Sequence, residues 1–291
     1  MKKSYQRFSI LVILLVFLVF YLLKANSFKN LFLYYTDLFF KNIFPANFPL
    51  FIISSLLIDY GLVDLLGFFL PNSSIIYIFV LSMFSGFPSG AKYSKDLYLK
   101  KKISKEEAQQ VLLFTHFPNP LFILGSVSSI LKSKTLAYKI LFSIILSNLI
   151  LLLFTKKKKE NCFTSKKIIP SFSESLSSAI ASSCRSIILI YGTSIFFYLL
   201  SVCITQYIVL PPLCYVLICG LFDLTQGVFS TTILSNNILR SYFILFFISF
   251  GSLSIHLQVK GILEDTIDYH YFFRGRIIGT IICFIIYTFL I

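Results

Sequence analysis

The chain is short of charge. Only 13% of its 291 residues are Asp, Glu, Lys or Arg, against roughly 25% in an average soluble domain. Residues 8–23, 42–58, 65–91, 108–131, 140–155, 186–222, 224–239, 241–259 and 277–291 carry none at all. The chain is 57% hydrophobic, with 34 Phe and 17 Tyr. One soluble core of this size cannot hide that much apolar surface. A membrane-spanning helix needs about 17–25 mainly apolar residues, so the composition predicts an all-α polytopic membrane protein in a lipid bilayer.

Acid is the scarcer sign, with 12 Asp and Glu against 26 Lys and Arg, a net +14. In a soluble protein that balance would suggest a nucleic-acid partner. Here the basic residues fall between apolar runs, where they orient the chain by the positive-inside rule, and nucleic acid is set aside. Paired thiols are missing too. Cys162, Cys184, Cys203, Cys214, Cys219 and Cys283 form no C-x-x-C. Most lie in apolar runs and read as small hydrophobes, so neither a metal site nor a disulfide framework is expected. No Gly-rich phosphate loop, H-E-x-x-H or G-x-S-x-G occurs. Asp37, Asp59, Asp64, Asp96, Asp223, Asp265 and Asp268 are dispersed. The expectation is a protein that is not an enzyme and holds no cofactor.

Four basic clusters punctuate the chain: Lys2, Lys3 and Arg7; Lys92, Lys95, Lys100 to Lys102 and Lys105; Lys156 to Lys159 with Lys166 and Lys167; and Arg274 with Arg276. Placing all four in the cytoplasm puts 17 of the 26 basic residues inside. Residues 8–23 then go out as an uncleaved first helix, with the N-terminus cytoplasmic, and 47–68 return. Residues 75–100 start and finish inside as a re-entrant hairpin. Residues 107–131 go out, 136–154 return, and the basic linker 155–174 stays inside. Residues 178–204 go out, 208–236 form a second hairpin, 240–262 come in and 272–291 go out.

This path gives an N-terminal anchor (1–30), a first repeat (45–154), the linker (155–174) and a second repeat (175–291). Each repeat has a broken hairpin and three crossings. Because three is odd, the repeats are inverted, a plan found in many secondary transporters.

Four polar breaks interrupt the apolar runs. "FSGFPSGAK" at 84–92 brings Ser85, Gly86, Pro88, Ser89 and Gly90. "FTHFPNPLF" at 114–122 brings Pro118, Asn119 and Pro120. "GLFDLTQGVFS" at 220–230 brings Asp223, Thr225, Gln226 and Gly227. "SFGSLSIHLQVK" at 249–260 brings Ser252, Ser254, His256 and Gln258. Glycine frees the backbone and proline removes a donor. Non-helical backbone at membrane depth needs protein or a water-filled cavity to satisfy it, and the N-terminal end of a half-helix attracts anions. The four breaks are therefore expected to converge on one cavity that binds a small solute, with backbone amides, Ser89, Asn119, Ser252 and Ser254 gripping an anion. Arg185 either snorkels to the interface, pairs with Asp59, Asp64 or Asp223, or offers its guanidinium to an anion. Ser104 and Glu107 form a capping-box pattern that starts a helix near 105.

Residues 85–127, with Gly86 to Lys92, Ile103 to Ala108 and Pro120 to Ile123, resemble the YlbJ-type sporulation integral membrane proteins. The segment "GSLSIHLQVKGIL" resembles that family's second block. The resemblance covers about 45–291. It implies a nucleoside-recognition or Gate domain, similar to the core of concentrative nucleoside transporters and of the ferrous-iron transporter. It also implies two inverted repeats with re-entrant hairpins, and a role in endospore formation linked to moving dipicolinate. The expected protein is a transporter of a small organic anion in the cell membrane or a membrane surrounding the forespore. A nucleoside-like solute, a coupling ion, a homo-oligomer and a non-transporting structural role stand as alternatives.

Overall fold

The computed structural model describes residues 2–69, 72–154 and 170–291. The lysines of 156–167, Cys162 and residues 155–169 of the linker lie outside them. All regular structure among the described residues is helical.

Helix α1 (Lys2–Leu23) meets α2 (Ala25–Leu38) at Lys24. Helix α2 continues through a π-helical turn, Phe39–Ile43, into α3 (Phe44–Asp59), so Ala25–Asp59 is one continuous run. The crossing expected at 47–68 thus begins earlier and stops at Asp59. The helix carries the charge that precedes residue 47 on its surface. Lys41 and Asp37 pair at 2.8 Å one turn apart, both exposed. Pro45 and Pro49 lie inside this run, just after the π-helical turn Phe39–Ile43. Gly61, at φ +81°, turns the chain into α4 (Leu62–Phe69).

The first hairpin follows as α5 (Ser73–Ser85) and α6 (Ser89–Leu99), broken at Gly86–Pro88. Helix α7 (Lys105–Val111) starts at the expected capping box, in which Ser104 and Glu107 cap each other's backbone. The chain is then non-helical through 115–119. It resumes as α8 (Pro120–Phe122), a π-helical turn Ile123–Val127 and α9 (Ser128–Leu131). Helices α10 (Lys134–Leu153) and α11 (Phe172–Tyr207) are long and unbroken. Asp223 splits the second hairpin into α12 (Pro212–Phe222) and α13 (Leu224–Ser230). Gly251 and Ser252 split the next run into α14 (Asn237–Phe250) and α15 (Leu253–Leu263). Helix α16 (His270–Leu290) ends the chain.

Among the described residues, five runs are long and apolar enough to cross a membrane: Ala25–Asp59, Lys134–Leu153, Phe172–Gln206, Asn237–Leu263 and His270–Leu290. Helix α16 shows why they read as spans. Ile277, Ile281, Ile285 and Phe289 are exposed on one stripe, while Phe272, Arg276, Gly279, Cys283 and Tyr287 are buried on the other. A water-soluble helix would reverse that polarity. The protein is a multi-pass integral membrane protein. Between spans, packing rather than the hydrophobic effect holds helices together. Helix α3 lies along α11, α10 along α16, and α15 against both α11 and α6.

Candidate functional site: the meeting of the helix breaks

Three of the four breaks touch. At the first hairpin the chain turns through Gly86 at φ +79°, where a Cβ would come within 2.7 Å of the Asn119 amide nitrogen. At Gly90 a Cβ would lie 2.4 Å from the Thr115 carbonyl oxygen. Both positions therefore need glycine, and the hairpin tip rests directly on the non-helical 115–119 segment. Phe87 stacks on the His116 ring, centroids 4.7 Å apart and 13° from parallel. The His116 ring in turn reaches the α14–α15 break, its Nε2 lying 3.0 Å from the Ile248 carbonyl. Facing a carbonyl, Nε2 carries the proton, which leaves Nδ1 as a buried acceptor without a partner among the described residues.

Arg276 joins these pieces. Its guanidinium is 2% exposed. It donates to the Leu113 carbonyl at 3.0 Å, the Ser249 carbonyl at 3.3 Å and Asn148 Oδ1 at 3.4 Å. The Phe272 ring lies beneath it, 5.4 Å to the centroid. Leu113 and Ser249 stand at the C-terminal ends of α7 and α14, where carbonyls lose their helical partners and the dipole is negative. One fixed cation satisfies both ends. Asn148 completes the clamp by donating to the His116 carbonyl at 2.9 Å. Arg276 was expected in a cytoplasmic basic cluster with Arg274. The structure corrects this: two residues apart on a helix face nearly opposite ways, and Arg274 is exposed while Arg276 is buried.

The fourth break sits beside the others. Asp223, 2% exposed, accepts from the Tyr35 hydroxyl at 3.2 Å and from the Gln226 amide at 2.9 Å. The Ser254 hydroxyl faces the same carboxyl. Ser201 donates to the Gln226 side chain, and Gln258 donates to Ser194 at 2.8 Å. The two arms of this hairpin touch backbone to backbone, since a Cβ on Gly227 would fall 2.2 Å from the Gly220 Cα. Thr225 is half-buried. His256 turns away from this group, with Nδ1 2.5 Å from the Tyr269 hydroxyl and Nε2 3.1 Å from the Phe250 carbonyl.

Arg185 joins none of the three proposed acids. Asp223 has Tyr35, Asp59 pairs with Lys100 at 2.9 Å, and Asp64 pairs with Lys102. Arg185 is exposed on α11, and the Asp223 carboxyl is served by Tyr35 of α2. Lys92 departs from expectation too. Placed with the cytoplasmic lysines by its sequence neighbours, it is 1% exposed, paired with Asp96 at 2.6 Å on its own helix. Of the cysteines, Cys203, Cys219 and Cys283 are buried, as read, whereas Cys214 is exposed.

The polar residues at the breaks are already occupied. Asn119 caps α8 through the Leu121 amide at 2.8 Å, Asp223 caps α13, and Ser252 caps α15 through the Ile255 amide at 3.5 Å. Ser252 and Ser254 share a hydrogen bond at 2.7 Å. Ser89 bonds the Gly86 carbonyl, and Ser85 bonds Tyr93 at 2.6 Å. At the starts of α8, α13 and α15 the polar cap residue closes the helix end, whereas Asn72 leaves the start of α5 without a side-chain cap. The arrangement is a packed polar core in which these groups bond one another and the neighbouring backbone. Among the described residues no three His, Cys, Asp or Glu side chains gather as metal ligands would.

Tyr35, Asn148 and Arg276 were not singled out from the sequence as site residues. For Arg276 a signal existed: Gly275 and Gly279 flank it at the four-residue spacing that lets membrane helices approach closely. At Gly275 a Cβ would sit 2.3 Å from the Leu113 carbonyl oxygen.

The chain is 28% identical to the sporulation integral membrane protein YlbJ of Bacillus subtilis (strain 168), over 81% of this chain and 71% of that protein. No family model matches the chain. No solved structure matches it either.

Proposed function

We propose that this protein moves a small organic solute, an anion such as dipicolinate, across a membrane during endospore formation. One observation carries the reading. Four interruptions of apolar helices, each with its own glycine or proline and polar side chains, are gathered inside a bundle of membrane spans. Such backbone is tolerated at membrane depth only where protein or a cavity satisfies it, and broken helices are how many carriers build their sites. The similarity to a sporulation membrane protein supports the cellular setting.

In this reading 45–154 and 175–291 are gate-like repeats of opposite orientation. Each holds a broken hairpin, an interrupted crossing and a terminal helix. The leading helices α3 and α11 pack on each other, as do the terminal helices α10 and α16, which suits a pseudo-twofold relation. With the break residues bonded to each other, the structure corresponds to a closed interior, and a solute takes over the hydrogen bonds of Asn119, Ser252 and Ser254 when the breaks part.

The test is purified protein in proteoliposomes, with dipicolinate and nucleosides offered separately. Uptake of dipicolinate above empty liposomes is the expected result. Uptake of nucleosides alone would replace the anion by a neutral solute. Movement of neither would leave a membrane scaffold protein of sporulation and defeat the carrier reading.

A further inference from the structure

The outward side of α11 and α15 carries a seam that the helix breaks do not use. The two helices run antiparallel, since Gln258 bonds Ser194 at 2.8 Å and a Cβ on Gly261 would come within 2.8 Å of Leu189. Between Arg185 and Phe196 the exposed positions of α11 are those two, Ile188 and Gly192, and the exposed positions of α15 are Leu253, Leu257 and Lys260. Each set recurs every three or four residues and so forms one stripe. Gly192 leaves a gap in the apolar wall, because a Cβ there would meet nothing within 4 Å. At the foot of the seam lies a cavity of about 490 Å³, lined in part by Arg185 and Glu264.

The charges at the foot do not cancel. The two acids in the cavity wall are taken, Asp96 by Lys92 at 2.6 Å and Glu264 by Lys95 at 3.0 Å. Arg185 and Lys260 have no ion pair among the described residues. Arg185 is also the last charge before residues 186–206 of α11, which carry none. That stretch is about 30 Å long at 1.5 Å per residue, the thickness of a bilayer's hydrocarbon core. The guanidinium thus stands where hydrocarbon gives way to headgroups. Lys260 starts deeper, and a lysine stem is long enough to bring its ammonium back to that level. A phosphodiester presents two free oxygens and one negative charge, which a guanidinium fork grips through two parallel hydrogen bonds. From Arg185 to Phe196 the seam runs about 16 Å, close to the depth of one leaflet. A soluble anion would have no use for that apolar length.

We propose that this seam holds one anionic phospholipid, its phosphate on Arg185 at the mouth of the cavity and an acyl chain along Ile188, Gly192 and Leu257. The site stands on its own charge and shape, whether or not the protein moves a solute.

Native mass spectrometry of the full chain, delipidated in detergent and titrated with dioleoyl-phosphatidylglycerol, tests it. Dioleoyl-phosphatidylcholine, dihexanoyl-phosphatidylglycerol and inorganic phosphate serve as comparisons. One phosphatidylglycerol should be retained more tightly than phosphatidylcholine. Arg185→Gln, at an exposed position that leaves the packing intact, should weaken it about tenfold or more, the worth of a charged hydrogen bond. Arg185→Lys should recover only part of this, since the fork is lost and the charge is kept. Glu264→Gln should tighten binding severalfold by removing an acid from the foot of the seam, a gain that a damaged fold cannot mimic. Gly192→Phe fills the gap in the wall. It should weaken the dioleoyl lipid severalfold and leave the dihexanoyl lipid as in the unaltered protein. Lys134→Gln, at the start of α10, should change nothing. Equal retention of the two dioleoyl lipids overturns the proposal. So does phosphatidylglycerol binding that is indifferent to Arg185→Gln or to Gly192→Phe. Displacement of the lipid by millimolar inorganic phosphate would assign Arg185 to a soluble anion and overturns it as well.

Discussion

Arg276 donates to the carbonyl of Leu113 at 3.0 Å across 163 residues of chain. The contact ties the last helix of the protein to the first interrupted crossing. It is made by a charged group that the linear pattern placed with Arg274 in a cytoplasmic basic cluster.

Removing that guanidinium strands the carbonyls of Leu113 and Ser249 in a dry interior, at about 1–3 kcal/mol for each orphaned acceptor. Arg276→Ala should therefore lower the thermal unfolding midpoint of the detergent-purified protein sharply, and Arg276→Lys should not restore it, because a single ammonium cannot span three acceptors in a fixed plane. Methylguanidinium added to Arg276→Ala should recover part of the loss. Equal recovery by methylammonium would show that charge alone, not the fork, is what the breaks require.

Gly90→Ala places a methyl 2.4 Å from the Thr115 carbonyl oxygen, with backbone on the receiving side. Overpacking costs about 1–3 kcal/mol even where neighbours can shift, so this variant should express poorly or unfold early. Gly125→Ala is the matched comparison, since nothing lies within 4 Å of its would-be Cβ. Its unfolding midpoint should equal that of the unaltered protein. Similar losses in both would point to a general intolerance of glycine replacement.

Asp223→Asn keeps an oxygen for the Gln226 amide and removes the charge. Folding and expression should hold. If the carboxyl carries the proton or cation that drives solute uphill, accumulation should be lost while exchange across equal concentrations persists. Unchanged accumulation in a well-expressed variant would remove Asp223 from the mechanism. Tyr35→Phe deletes only the hydroxyl bonded to Asp223 and should cost about 1 kcal/mol of stability.

The charge pattern puts Lys92–Lys105 and Lys132–Lys134 on opposite sides of the membrane. On a background without native cysteines, Lys105→Cys and Lys134→Cys, both at exposed positions, should react with an impermeant thiol reagent from opposite faces. Labelling of both from one side would end the inverted arrangement.

The interruptions were legible in the sequence because their causes are local. Gly86 and Gly251 adopt φ values of +79° and +88°, which residues with a Cβ rarely reach. The capping box at Ser104 is written in four consecutive residues. The same local reading located the ends of α10, α12 and α16 to within a few residues. Burial of charge was not legible, because it depends on which face of a helix meets which neighbour. Lys92 lies among lysines in sequence and over the Phe51 ring, against Ser182, in space. Arg274 and Arg276 differ only in helical phase. The state of the break residues was hidden for a related reason: Asn119, Asp223 and Ser252 have the side chains of ligand groups and of helix caps alike, and only the fold shows them capping.

The clamp around Arg276 also sorts the molecule into parts that travel together. The ends of α7 and α14, Asn148 of α10, and α16 itself converge on one side chain. Deserting any of these bonds in a dry interior is expensive, so these elements form one stiff cartridge. If the protein is the carrier proposed above, its joints lie outside this cartridge. Gly86 and the Asp223 turn make none of the clamp's hydrogen bonds, and in that reading the joints fall there. A spin-label pair across α10 and α16 should then keep one distance throughout the cycle, while a pair from α5 or α12 to α16 should report two.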